Sequence, residues 1–255
     1  MRRHVRRAEG YRSARSRPAV WAVPVLLMAL CAAAAASDAQ RQAHAIRERG
    51  QVRLFPPEEL GLLEGPDREA WQMPDQVMDA LGLAEGSRVA DLGAGGGWFT
   101  LRLARRVGPN GIVYAEDIQP QMIDSIKRRM DREGLRNVTL KLGTANDPKL
   151  PVGALDAALM VDIYHEVVQK VELLRNVKQA LTPTGRLGIV NYKTDGGGPG
   201  PDIRRVVPQA VINDARAAGL HLLAHETFLP YQYLLIFGKG EHGAFGERAL
   251  PRGGR

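Results

Sequence analysis

An acid followed by three regularly spaced glycines is the clearest candidate for binding chemistry in this chain. The stretch reads Asp-x-Gly-x-Gly-x-Gly and consists of Asp91, Gly93, Gly95 and Gly97. It stands between a strand-like run at 88–92 and a helix-like segment at 98–107, an order that cradles nucleotide-like cofactors. A dinucleotide turn would need a small residue where this chain has Trp98, and the acid at 91 would repel a pyrophosphate. The turn therefore argues against NAD and favours a nucleoside-like ligand that carries an ammonium group.

This stretch resembles motif I of the class I S-adenosylmethionine-dependent methyltransferases. Four later segments resemble other motifs of that family in the same order. They are the second strand with its acid at 112–118, the loop after the third strand at 142–146, the fourth strand at 155–162 and the terminal strand at 231–237. The resemblance covers about residues 71–238 and is nearest to the ubiquinone/menaquinone-biosynthesis type. It implies S-adenosylmethionine as the cofactor.

The resemblance also implies which residues bind that cofactor. The matching positions are Asp91, Gly93, Gly95, Gly97, Asp117, Ile118, Thr144, Ala145 and Asp162. Asp117 follows Gly97 by 20 residues, about the spacing expected of an acid that binds ribose hydroxyls. Glu116 is the alternative ribose ligand, and capping of the helix from Pro120 is the alternative role for Asp117. For Thr144 and Ala145 the alternative is an ordinary turn.

His165 is the candidate catalytic residue, because it follows the tip of the predicted fourth strand, where the resemblance places the transferred methyl group. Its reference pKa suits removal of a proton from an acceptor. The alternative is structural: Asp162 caps the next helix, and Tyr164 and His165 pack its first turn. No metal site is predicted, since no second histidine follows His165 and Glu166 at helical spacing.

Two segments are candidates for the acceptor pocket. Residues 63–72 stand where family members often carry a lid, and Trp71 within them is either a core residue, which we favour, or a substrate contact. Residues 193–205 are rich in glycine and proline, which is typical of a flexible loop. Arg204 and Arg205 either bind an anionic acceptor or begin the next helix in solvent, and we favour the second.

The basic charge of the chain is concentrated at its N-terminus. The 255 residues carry a formal net charge of +7, but residues 1–39 hold seven arginines against Glu9 and Asp38. The remainder has 28 basic and 26 acidic residues, a net charge of +2, so a nucleic-acid partner is not supported. We expect a small-molecule or lipid-like methyl acceptor instead.

The arginine-rich start precedes an apolar run at 19–36, the order of a secretory signal peptide. We expect export to the periplasm, or anchoring in the inner membrane if the 18-residue run is retained. Lipidation of Cys31, the only cysteine, is disfavoured by the bulk of Leu30. The alternative is a mis-assigned start codon and a cytoplasmic protein that begins near Gln40. Because S-adenosylmethionine is made in the cytoplasm, an exported S-adenosylmethionine- or nucleoside-binding module without transfer activity is the alternative function.

Strand-like and helix-like segments alternate from residue 74 onward. Strands are predicted at 88–92, 112–117, 138–142, 155–161, 185–191, 220–228 and 232–237, and helices at 74–83, 98–107, 120–133, 165–181 and 208–218, with a turn at 182–185. Alternation predicts a parallel sheet covered by helices, and the short link at 229–231 allows only an antiparallel hairpin. The expected fold is α/β: a doubly wound, mostly parallel seven-stranded sheet with a terminal antiparallel hairpin and helices on both faces.

Four regions are expected along the chain. They are a signal peptide or anchor at 1–39, a lead-in or lid segment at 40–73, the S-adenosylmethionine-binding domain at 74–239, and a flexible tail at 240–255. The N-terminal segment is the only part for which membrane contact is expected. The sequence does not predict an oligomeric state.

Overall fold

Seven strands form one sheet in the computed structural model of the chain, which describes residues 54–195, 197–199 and 205–240. The strands are β1 (Arg88–Leu92), β2 (Ile112–Asp117), β3 (Val138–Leu142), β4 (Leu155–Val161), β5 (Leu181–Tyr192), β6 (His221–Glu226) and β7 (Gln232–Gly238). Their order is β3-β2-β1-β4-β5-β7-β6. β7 is antiparallel to both of its neighbours, and the other neighbouring pairs are parallel. The predicted sheet and its terminal hairpin are confirmed.

Helices cover both faces of this sheet. They are α1 (Arg68–Gln72), α2 (Pro74–Ala80), α3 (Trp98–Val107), α4 (Pro120–Glu133), α5 (Lys170–Ala180) and α6 (Pro208–Ala217), and a short 3-10 helix (Pro57–Leu63) precedes α1. In α3 the buried residues Phe99, Leu103 and Val107 recur every four positions and form one apolar stripe, which packs on the sheet with α2. The opposite face is covered by α5 and α6.

The connection between β4 and α5 differs from the sequence prediction. The sequence predicts a helix from residue 165, but α5 begins at Lys170, and Gln169 is its N-cap residue. Tyr164 is buried and donates its hydroxyl proton to Asp214 Oδ2 of α6 at 2.7 Å. This anchoring holds the chain against the core in a turn, so the helix starts only afterwards. The hypothesis that Asp162 caps the helix is therefore wrong.

The predicted turn at 182–185 lies inside a strand. β5 begins at Leu181, and its register with β4 shifts between the pairs Leu155–Leu181 and Ala157–Arg186. The four residues form an irregularity of the strand, which bends it without ending it. A Cβ at Gly185 would lie 2.6 Å from the Leu155 carbonyl oxygen, so this close approach requires glycine.

The segment before β1 is fastened to the helices that flank the glycine stretch. Glu64 forms an ion pair with Arg129 of α4, and Glu69 of α1 forms one with Arg102 of α3 at 3.0 Å. These contacts fasten the segment before β1 to α3 and α4. A glutamine side chain of the β2–α4 connection adds a bond to the Phe55 carbonyl oxygen.

The expected leader at 1–39, including Cys31, and the tail beyond Gly240 lie outside the described residues. Within the part of the chain that the structure describes, no helix is both long and apolar enough to span a membrane. Nor do the described residues contain a cluster of histidine, cysteine or acidic side chains arranged to hold a metal ion.

Candidate functional site

A cavity of about 240 Å³ opens at the carboxyl ends of β1, β2 and β4. The strand order reverses between β1 and β4, which is where open α/β sheets bind ligands. Every predicted site residue except Gly97 borders this cavity: Asp91, Gly93, Gly95, Asp117, Ile118, Thr144, Ala145, Asp162 and His165. The strand tips that the sequence identified therefore meet in one place.

The glycine loop at 93–97 has a left-handed backbone at each of the predicted glycines. The φ angles are 65° at Gly93, 53° at Gly95 and 80° at Gly97, values that side chains disfavour. A Cβ at Gly93 would lie 2.8 Å from Ile163, whereas at Gly95 it would meet only Leu60 Cδ2, at 4.0 Å. Because Gly95 borders the cavity, a side chain there would occupy the space of a ligand.

Asp91 is buried beneath this loop at the end of β1. Its Oδ2 accepts a hydrogen bond from Thr100 Oγ1 of α3 at 2.6 Å. Burial raises the pKa of Asp91 to about 6, against the opposing effects of the Thr100 hydrogen bond and the charge of Arg68. A buried carboxylate of this kind is stabilised by a nearby cation.

Two adjacent acids end β2, and both border the cavity. Asp117 accepts hydrogen bonds from the backbone N–H groups of Gly95 at 3.0 Å and Gln119 at 2.9 Å. Glu116 accepts one from the Gly93 N–H at 3.3 Å. Burial raises the pKa of both acids, and the pKa of Glu116, which also feels the charge of Asp117, rises to about 8. The N-cap of α4 is Gln119, so the capping alternative for Asp117 is wrong.

Thr144 borders the cavity, but its hydroxyl group forms a hydrogen bond within its own loop. Its Oγ1 accepts a hydrogen bond from the Asp147 N–H at 3.1 Å, and its N–H donates to the Asp147 carbonyl oxygen at 2.9 Å. This is the ordinary turn that was the alternative for this position. Ala145 and Ile118 also border the cavity at this edge.

Asp162, just beyond β4, is held by two glutamines that the sequence analysis missed. Gln232 donates from Nε2 to both carboxylate oxygens at 2.8 and 2.7 Å, and Gln72 of α1 donates to Gln232 Oε1 at 2.5 Å. Both glutamines are fully buried. Burial raises the pKa of Asp162 to about 7, against the opposing effects of Arg68 and the Gln232 hydrogen bond. The sequence signal that could have identified this contact is Gln232, a polar residue within the otherwise apolar run 231–237.

His165 lies in the turn after β4 and borders the cavity. Its side chain is 9% exposed, and its Nε2 lies 3.6 Å from Glu166 Oε1. Because α5 begins only at Lys170, His165 is not part of the first turn of that helix. The residue is therefore placed where it can meet an acceptor in the cavity.

Aromatic side chains border the same cavity on its α1 side. The half-buried Trp71 has its ring centroid 6.1 Å from that of Tyr192 and 6.3 Å from that of Tyr231, and both Trp71 and Tyr192 line the cavity. Arg205 does not begin a helix in solvent, since it donates to the Lys193 carbonyl oxygen at 2.6 Å, and α6 begins at residue 208. Arg204 lies outside the described residues.

Comparison with known proteins agrees with the geometry of this site. A protein-family profile described as a methyltransferase domain matches residues 89–185, from β1 into β5. The fold is similar to the crystal structure of a SAM-dependent methyltransferase from Aquifex aeolicus, with a TM-score of 0.65 and 26% identity, over 72% of this chain and 98% of that one. Residues 89–185 are therefore a methyltransferase domain, and the fold is that of a class I S-adenosylmethionine-dependent methyltransferase.

Curated relatives of this chain match over part of their length. The ubiquinone/menaquinone biosynthesis C-methyltransferase UbiE of Pasteurella multocida is 32% identical over 122 residues, which is 46% of this chain and 44% of that protein. A protein-L-isoaspartate O-methyltransferase of Methanothrix thermoacetophila is 34% identical over 100 residues, 35% of this chain and 48% of that protein. The chain thus spans less than half the length of these two relatives, and their names give different acceptors.

The cavity fits S-adenosylmethionine, the cofactor of these methyltransferases. S-adenosylmethionine carries a sulfonium, an ammonium and two ribose hydroxyls, so it needs negative charge and hydrogen-bond acceptors. Asp91, Glu116 and Asp117 supply them along the cavity wall, and the raised pKa of each buried acid means that a cationic ligand would favour its charged form. The glycine loop leaves open space at Gly95.

Proposed function

We propose that this chain transfers a methyl group from S-adenosylmethionine to a small-molecule or lipid-like acceptor. The observation that carries the proposal is the cavity at the β1–β4 boundary, where the glycine loop, three acids and His165 all face the same space. A concave cavity that combines apolar and acidic side chains suits small molecules more than a polymer.

S-adenosylmethionine, when bound, supplies a methyl group on a sulfonium, which a nucleophile reaches by in-line displacement. The chain's own contribution is to bind, to orient and to exclude water. Three apolar side chains of the segment before β1 border the cavity: Leu54, Phe55 and Leu60. They shield the acid-lined wall from water, and weaker screening strengthens its attraction for a cation.

The remaining wall of the cavity suits an apolar acceptor. It is lined by Val167, Val168 and Leu173 from the β4–α5 connection and from α5, and by Trp71 and Tyr192. Such side chains contact a ring or an alkyl chain without requiring many hydrogen bonds. The Pasteurella relative, whose name places it in ubiquinone and menaquinone biosynthesis, supports an acceptor of this character.

Binding and turnover measurements test the proposal in sequence. Titration calorimetry should show binding of S-adenosylmethionine and S-adenosylhomocysteine but not of NAD. Methyl-labelled S-adenosylmethionine should then pass its label to a member of a panel of phenols, quinols and lipids. Tight cofactor binding with no transfer to any panel member or to extract would favour the binding module, and preference for NAD would overturn the proposal.

Replacement of Asp117 with alanine should weaken S-adenosylmethionine binding by about 1–3 kcal/mol, because charge-assisted hydrogen bonds to the ribose are lost. The bond from the Gly95 N–H to Asp117 is lost with them, which loosens the loop. Titration calorimetry measures the change, with Glu116→Gln as the competing variant. Unchanged affinity in Asp117→Ala together with weakened binding in Glu116→Gln would transfer the ribose role to Glu116.

We further propose that the chain is exported through its N-terminal segment. Support comes from the seven arginines that precede the apolar run at 19–36. Cell fractionation and N-terminal sequencing should find the protein either cleaved near Gln40 in the periplasm or retained in the inner membrane. Soluble cytoplasmic protein that still begins at Met1 would contradict export.

A further inference from the structure

Arg68 of α1 brings a positive charge to the wall of the acid-lined cavity. Its guanidinium carbon lies 4.2 Å from the centroid of the Trp98 ring. Trp98 is the first residue of α3 and directly follows the glycine loop. The indole therefore holds the guanidinium at the cavity wall.

Arg68 interacts with two of the acids that border the cavity. Asp162 and Asp91 both border the cavity, and both attract the guanidinium electrostatically. Burial lowers the pKa of Arg68 below its ordinary value, but an arginine remains a cation at neutral pH. A cation flanked by carboxylates is complementary to a ligand that carries an ammonium and a carboxylate on one carbon.

A chain of hydrogen bonds links Arg68 to Asp162. Arg68 Nε donates to Gln72 Oε1 at 3.1 Å, and Gln72 continues through Gln232 to Asp162. Because the two glutamines are fully buried, their rotamers are restricted by packing. The hydrogen-bonded chain thus restricts the positions of both charged side chains before any ligand arrives, which lowers the entropy lost on binding.

We propose that Arg68 binds the carboxylate at the amino-acid end of the cofactor, with Trp98 as its positioning residue. This inference rests on the proposed function and names the part of the cofactor that Arg68 recognises. The acids beside it receive the ammonium, and the guanidinium forms charge-assisted hydrogen bonds to the carboxylate oxygens. A carboxylate on the acceptor would offer the same chemistry, so the test must separate the two sources.

The test compares S-adenosylmethionine with its decarboxylated form, which keeps the sulfonium and the amine and lacks only the carboxylate. Wild-type protein should bind S-adenosylmethionine about 10- to 100-fold more tightly than the decarboxylated probe. Arg68→Met should lose that preference by weakening S-adenosylmethionine alone. Trp98→Leu should reduce the preference, and Trp98→Phe, which keeps an aromatic ring, should restore most of it.

Arg102→Met is the matched control. The guanidinium carbon of Arg102 lies 3.5 Å from the centroid of the same Trp98 ring. Arg102 does not border the cavity, however, and it forms an ion pair with Glu69. This variant should keep the wild-type preference. Melting temperatures without ligand show that each variant is folded.

Three results would distinguish failure of the proposed function from failure of the inference about Arg68. If wild-type protein binds neither probe, the proposed function fails. If it binds S-adenosylmethionine and Arg68→Met leaves that affinity unchanged, the inference fails, and the carboxylate that Arg68 meets is not the cofactor's. If Arg68→Met weakens both probes by the same factor, Arg68 acts on the fold of the segment before β1, and the inference also fails.

Discussion

Substitution of Gly95 with valine should abolish S-adenosylmethionine binding and leave a folded domain. The backbone at Gly95 has a φ of 53°, which a β-branched residue adopts at a cost of about 1–2 kcal/mol. The surrounding space is open apart from Leu60, so the side chain fits without breaking the core. It would stand in the cavity, however, where the cofactor must lie against the loop.

Gly134→Val is the control for backbone strain. Gly134 ends α4 with a φ of 68°, and a Cβ there would meet nothing within 4 Å, but the residue does not border the cavity. Both variants should lose similar stability in thermal melts, whereas titration should show normal S-adenosylmethionine affinity only for Gly134→Val. Normal binding by Gly95→Val would mean that the cofactor does not lie on this loop.

The strand tips of this site were predictable because they depend on local patterns. Asp117 and Asp162 each come at the end of an apolar run of strand length, Asp91 stands near the end of the shorter run of β1, and the carboxyl ends of parallel strands meet at one edge of a sheet. The glycines between β1 and α3 were predictable for the same reason, since a strand-to-helix turn with left-handed dihedrals requires them. Local sequence patterns were therefore sufficient to predict the wall of the cavity that the strand tips and the glycine loop form.

The opposite wall was not predictable, because distant parts of the chain build it. Gln72 and Gln232 are 160 positions apart, and no local pattern relates them. Arg68 could be placed in a lid segment but not on the Trp98 ring, since that contact depends on how α1 packs against α3. The start of α5 was also missed, because the bond from buried Tyr164 to Asp214 overrides the local preference for helix.

Replacement of His165 with alanine should lower kcat by about 10²- to 10⁴-fold, the usual contribution of a positioned general base, if the acceptor is a carbon acid or a hydroxyl. His165 borders the cavity beside Asp162 and close to Glu166, so it can take the acceptor's proton as the nucleophile attacks. S-adenosylmethionine affinity should stay nearly constant, because the glycine loop and the acids at the β1 and β2 tips are untouched.

The rate and the melting temperature must be measured on the same sample, since His165 is also largely buried and its loss removes packing. His225→Ala is the matched control: His225 stands on β6 against the Tyr233 ring, with centroids 6.0 Å apart, and does not border the cavity. A single-turnover rate that falls in His165→Ala and not in His225→Ala assigns the proton transfer to His165. A lower melting temperature with an unchanged rate would remove His165 from the chemistry. Catalysis would then depend on the orientation of cofactor and acceptor in a cavity shielded from water.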